Sequence, residues 1–183
     1  MVSLTHLWMP IVLAAILVFV VSSLIHMVFK WHNSDYKGLP DEAGVRAVLK
    51  GEPGMYVLPY CTDMKEMGNA EMQAKYQEGP VAMVFMRPSG AVNMGKSLGQ
   101  WFALTLVIAF ATAYLASRTL APGTPYLQVI RVTGTITFLA YGVGSVVNAI
   151  WMGYPWRAAA KDVFDALLFG LVTGGAFGWL WPH

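Results

Sequence analysis

Residues 7–29 form an apolar run without a single Asp, Glu, Lys or Arg; the first charge is Lys30. In hydrocarbon every backbone N–H and C=O must find a partner within the protein, and one isolated segment can do that only as a helix. Twenty-three helical residues rise ~35 Å, enough to cross a bilayer. Trp8 and Trp31 stand near the two ends of the run, where indoles favour the membrane interface. Three further apolar runs follow, at about 98–117, 126–151 and 162–181. Charged residues make up only 12% of the chain, half the ~25% of a soluble domain. The sequence therefore predicts an all-α integral membrane protein with four transmembrane helices and a long loop, 30–97, between the first two.

The first run is expected to stay attached as an anchor. No basic residue precedes it, it is too long for a signal-peptide core, and no A-x-A-like site follows. Its polar residues gather in one seam, Ser22, His26 and Lys30, with Ser23 beside it. An intramembrane histidine is a functional candidate as proton relay or ligand. Since His26 lies one turn from the water boundary, the simpler expectation is a hydrogen-bonded interfacial group. His26, His32 and Asp35 contain metal-ligand chemistry, but on a continuous helix two histidines six apart point to different faces. No metal site is expected from them.

The 30–97 loop balances eight Lys/Arg against eight Asp/Glu. Residues 40–51 read as a short helix: Pro at the start, acids in the first turn, Gly51 as the stop. Residues 55–59 and 81–86 read as extended segments able to pair as a small antiparallel ribbon. Between them, 62–77 reads as one or two short helices broken near Gly68-Asn69. The loop holds Met55, Met64, Met67, Met72, Met83, Met86 and Met94. Thioethers beside Cys61 and His32 suit a soft metal, but methionine is more often an adaptable filler of apolar surface, which is the reading adopted. Cys61 is the sole cysteine, so no intrachain disulfide forms.

In the last run, Gly170, Gly174 and Gly178 recur every four residues. That spacing puts three missing side chains on one helical stripe, where another helix backbone can approach closely. Ala140, Gly144 and Asn148 repeat the spacing in the third run and are the expected partner stripe. Ala109, Ala113 and Ala116 give the second run a small-residue face. Asp162 and Asp165 are read as opening the fourth helix, where carboxylates complement the positive helix end and can pair with Arg157 or Lys161.

The loops 30–97 and 152–161 hold ten of the twelve Lys/Arg. Basic residues favour the cytoplasmic side, which predicts both termini outside and the large loop inside. The arrangement resembles small four-span membrane proteins of bacteria, and that resemblance implies the inner membrane.

No nucleotide, zinc-hydrolase or paired-cysteine motif is present; no catalytic residue is singled out, and no cofactor is specified. A net charge of +2 gives no reason to expect nucleic acid. The expected partners are lipid and either other membrane subunits or further copies of the chain. The leading functional expectation is an accessory or scaffold subunit that packs against a larger membrane complex. The second is a small oligomeric transporter or channel using the Ser22/His26/Lys30 seam. The third is a redox or cofactor-binding protein, although bis-histidine haem needs two intramembrane histidines and only His26 is close.

Overall fold

The computed structural model describes residues 1–183. Four helices are long and apolar enough to cross a membrane: α1 (Leu4–Phe29), α4 (Met94–Thr119), α5 (Tyr126–Trp151) and α6 (Trp156–Trp179). Between α1 and α4 lie α2 (Glu42–Val48), β1 (Gly54–Leu58), α3 (Ala70–Glu78) and β2 (Ala82–Met86). The chain divides into two compact units, residues 1–36 with 93–183, and residues 37–92. Residues 30–36 thus belong with the long helices rather than with the loop.

The helical unit is built on the α5–α6 hairpin. Its helices run antiparallel, joined by the turn 152–155. The glycine stripe of α6 lies against α5, but against residues other than Ala140, Gly144 and Asn148. A Cβ on Gly170 would sit 2.8 Å from the carbonyl oxygen of Gly134. One on Gly174 would meet Ile130, and one on Gly178 the ring of Tyr126. Gly142 closes the other end of the seam against Ala166. Ala140, Gly144 and Asn148 lie on the exposed face of α5, and nothing comes within 4 Å of a Cβ placed on Gly144. The physical reason is rotational: a helix that is apolar all round carries small residues on more than one face, and only one faces α6.

Helix α1 packs against both α4 and α6. Ala14 and Ala15 meet Ala109, Ala113 and Ala116 of α4, with Leu7, Val129, Phe177 and Trp181 completing a core. Small side chains dominate because lipid supplies no hydrophobic drive between helices, so close approach and dispersion must hold them. Buried hydroxyls add cohesion. Thr112 and Thr137 join α4 to α5 at 3.3 Å, while Thr133 donates to its own helix, at the Val129 carbonyl.

The 37–92 unit holds the predicted ribbon. β1 and β2 pair antiparallel from Gly54↔Met86 to Leu58↔Ala82. Asn69 caps α3 by accepting from the Met72 N–H at 2.7 Å, which is why the chain breaks at Gly68-Asn69. Asp41 caps α2 in the same way from Gly44. Every residue of β1 is exposed.

Candidate functional site

Helix α1 does not end as a plain α-helix. From Leu24 to Phe29 it widens into a π-helical turn, and the Lys30 N–H bonds back to the Ile25 carbonyl at 3.0 Å. Lys30 then takes φ 53°, the left-handed conformation, which an L-residue other than Gly, Asn or Asp seldom adopts. The chain reverses into a short 3-10 helix, Trp31–Asp35, that packs on α6. The expected seam is broken by this reversal. Ser22 is buried and accepts from the Trp101 indole N–H at 2.8 Å. His26 follows one turn on, and Lys30 is exposed at the bend.

The same reversal brings together two histidines that the continuous-helix reading separates. The rings of His26 and His32 stack in parallel, with centroids 4.8 Å apart and planes within 3°. His32 is 8% exposed. Its Nε2 lies 2.9 Å from Asp165 Oδ2 and its Nδ1 lies 3.1 Å from Asp35 Oδ2. Two carboxylates flanking one imidazole need a proton on each side, so the Asp35–His32–Asp165 chain holds one proton more than a neutral ring between two carboxylates would. His26 uses Nδ1 to donate to the Ser22 carbonyl at 2.9 Å. A carbonyl can only accept, so the neutral ring has its lone pair on Nε2.

Lys161 secures the turn. Its ammonium donates to the Trp31 carbonyl at 2.7 Å, Ser34 Oγ at 2.8 Å and Asp35 Oδ1 at 2.5 Å. All three donors of a lysine are thereby used. That ammonium holds the Asp35 carboxyl below its ordinary range, and the His32 ring beside it acts in the same direction. Trp31 adds an edge contact with Phe164 of α6, 5.4 Å between centroids. Nearby in the α5–α6 turn, burial together with the Asp162 carboxylate pushes the Tyr154 phenol up to about 12.

The role expected for the two α6 aspartates needs correction. α6 starts at Trp156, directly after Pro155, and has no acid in its first turn. Asp162 and Asp165 are therefore not caps. Asp165 lies nine residues into the helix, ~13 Å along its axis, and is 4% exposed. Lys161 pairs with Asp35 instead of an α6 aspartate. Asp165 Oδ1 is buried with no hydrogen-bond partner. A cavity of about 380 Å³ opens beside the cluster, lined by His26, Trp101, Tyr141, Ser145, Asp162 and Asp165 among others. Its floor is aromatic, with Tyr141 and Phe169 edge to face at 5.2 Å. A second cavity of about 480 Å³ lies on the other side of His26, toward Met94 and Leu98 of α4.

A carboxylate this far inside a transmembrane helix is costly and marks a working or organising site. The sequence alone sets His26 and His32 on different faces of a continuous helix, expects no metal site from them with Asp35, and makes Asp165 a helix-opening acid, with Lys161 its possible partner; the structure instead brings these residues into one cluster. The signal that would have found Asp165 is Pro155, a residue favoured where helices begin. A start there puts Asp165 well inside the helix.

The chain matches no family model, no curated protein and no solved structure with which it was compared. The structure shows a small membrane protein with four candidate spans; its role has to be argued from its own surfaces.

Proposed function

We propose that this chain is an accessory subunit of a larger membrane complex, anchored by its four helices and offering its 37–92 unit to a partner protein. One observation carries the reading. The two-stranded ribbon leaves an apolar surface uncovered: Met55 is 63% exposed and Phe85 60%, with Tyr56, Val57 and Leu58 also open. An isolated two-stranded ribbon is marginal in water, and clustered exposed apolar side chains mark a surface made for contact. Lysine and arginine concentrate in residues 30–97 and 152–161, which supports placing the ribbon in the cytoplasm and the chain in a bacterial inner membrane. On this reading the chain is not an enzyme.

Purification of the tagged chain from its own cells in mild detergent, followed by mass spectrometry, tests this. The proposal expects stoichiometric partner subunits that disappear when Tyr56 and Phe85 are both changed to Ser. A clean monomer or homo-oligomer from the wild-type chain contradicts it, and the homo-oligomer would favour the transport reading.

A further inference from the structure

We infer that His26, His32 and Asp165 form a binding site for one divalent transition-metal ion of the zinc class at the end of the helical unit. Each residue offers one ligand atom, and the three atoms lie within 4.8 Å of one another. Imidazole and carboxylate are the donor set that Zn²⁺ and its neighbours favour.

Three features go beyond proximity. First, both histidines are anchored through Nδ1: His26 on the Ser22 carbonyl, His32 on the Asp35 carboxylate. Metal-ligating histidines are oriented in this way by their other nitrogen. Asp35 is in turn held by Lys161, so the support extends one residue further. Second, Asp165 Oδ1 is fully buried and unpartnered. Buried carboxylate oxygens are nearly always satisfied, and a cation would satisfy this one. Third, the cavity lined by His26 and Asp165 gives an ion room to enter.

The geometry also states what must move. Tetrahedral ligand atoms ~2.1 Å from an ion lie ~3.4 Å apart, closer than the present spread. Parallel rings share no common in-plane point, so one must tilt. His26, held at Nδ1 alone, is exposed and faces the cavity and is the ring able to tilt, whereas His32 is held at both nitrogens. On binding, the proton shared between His32 Nε2 and Asp165 leaves to solvent. Both rings then act as neutral donors, Asp165 acts as a carboxylate, and one M²⁺ replaces one H⁺.

The test uses the full chain in detergent, purified on a non-histidine tag and titrated with Co²⁺. Visible d–d absorption reports the ligand field; metal content after Zn²⁺ loading and desalting gives the stoichiometry. The inference expects one ion per chain. His26→Gln, at an exposed position that leaves helix content unchanged by circular dichroism, should weaken Co²⁺ binding at least tenfold and alter the spectrum. Asp35→Asn, which removes the carboxylate that supports His32 and pairs with Lys161, should weaken it ~10–100-fold. His6→Gln and His183→Gln should change nothing. Wild-type chain that takes up no Co²⁺ at 100-fold molar excess overturns the inference, as does a folded His26→Gln variant with wild-type affinity and spectrum.

Discussion

Alanine substitutions along the α6 stripe should have costs that follow what each new methyl group meets, not the helix propensity of glycine. At Gly170 the added Cβ would lie 2.8 Å from the Gly134 carbonyl oxygen and 3.3 Å from the Phe138 Cβ. Backbone cannot rotate away, so the α5–α6 axes must separate. Overpacking of this kind costs ~1–3 kcal/mol, against a gain of ~0.5–1 kcal/mol from replacing a helical glycine. A net loss of about 0–2.5 kcal/mol, centred near 1, follows from those two ranges. At Gly174 the nearest atom is the Ile130 Cγ2 at 3.0 Å, with the Ile130 carbonyl at 3.2 Å, so part of the clash can be relieved by a side-chain rotation. At Gly178 the contact is the Tyr126 ring, half exposed at the start of α5 and able to swing aside. Gly144 has open space, so Gly144→Ala should be neutral or stabilising. The expected order of destabilisation is Gly170 > Gly174 > Gly178 > Gly144, read as unfolding free energies from denaturing-detergent titration of purified protein. Equal costs at Gly170 and Gly144, or a larger cost at Gly144, would refute the assigned seam.

Three further outcomes follow from the polar contacts. Lys161→Met should release the Trp31–Asp35 turn from α6, seen as a shifted and broadened fluorotryptophan resonance for Trp31 by ¹⁹F NMR; an unchanged resonance would mean that the latch contributes nothing. Asp35 has its carboxyl held below the ordinary range, so its contribution is fully present above the unfolded value of ~3.9 and is lost only as pH falls through the lower folded value. The Trp31 signal component that Lys161→Met abolishes should therefore survive from pH 7 down to about 4; its loss at pH 5–6 would contradict the pairing. Thr137→Val should cost ~0.6 kcal/mol by removing the interhelical bond to Thr112, and a double cycle with Thr112→Val should recover most of that as coupling energy.

The spans and the ribbon were legible because their signals are local. Charge-free length marks the helices; Gly79-Pro80, Pro88 and Asn69 punctuate the loop. The site was not legible, because it depends on one non-local event. Lys30 adopts a left-handed conformation with no Gly or Asn to announce it, and only that reversal lays His32 against His26 and Asp165. The stripe on α6 was visible as a spacing, but its partner was not. In helices apolar on all sides, hydropathy does not separate the face that meets protein from the face that meets lipid, so Ala140 and Gly144 looked as suitable as Gly134. The aspartates were misread for a smaller reason: placing the start of α6 at residue 162 rather than at Trp156 turns a buried site residue into a cap.

The central claim, that the exposed ribbon is a contact surface for another subunit, is tested most directly by site-specific photo-crosslinking in living cells. A photoreactive amino acid at Phe85 reports on the ribbon; the same group at Phe110, on the outward face of α4, serves as the lipid-facing comparison. The account predicts a discrete crosslinked species from position 85 that contains a different protein, and none from position 110. Crosslinks from position 85 only to lipid or to the chain itself would contradict it.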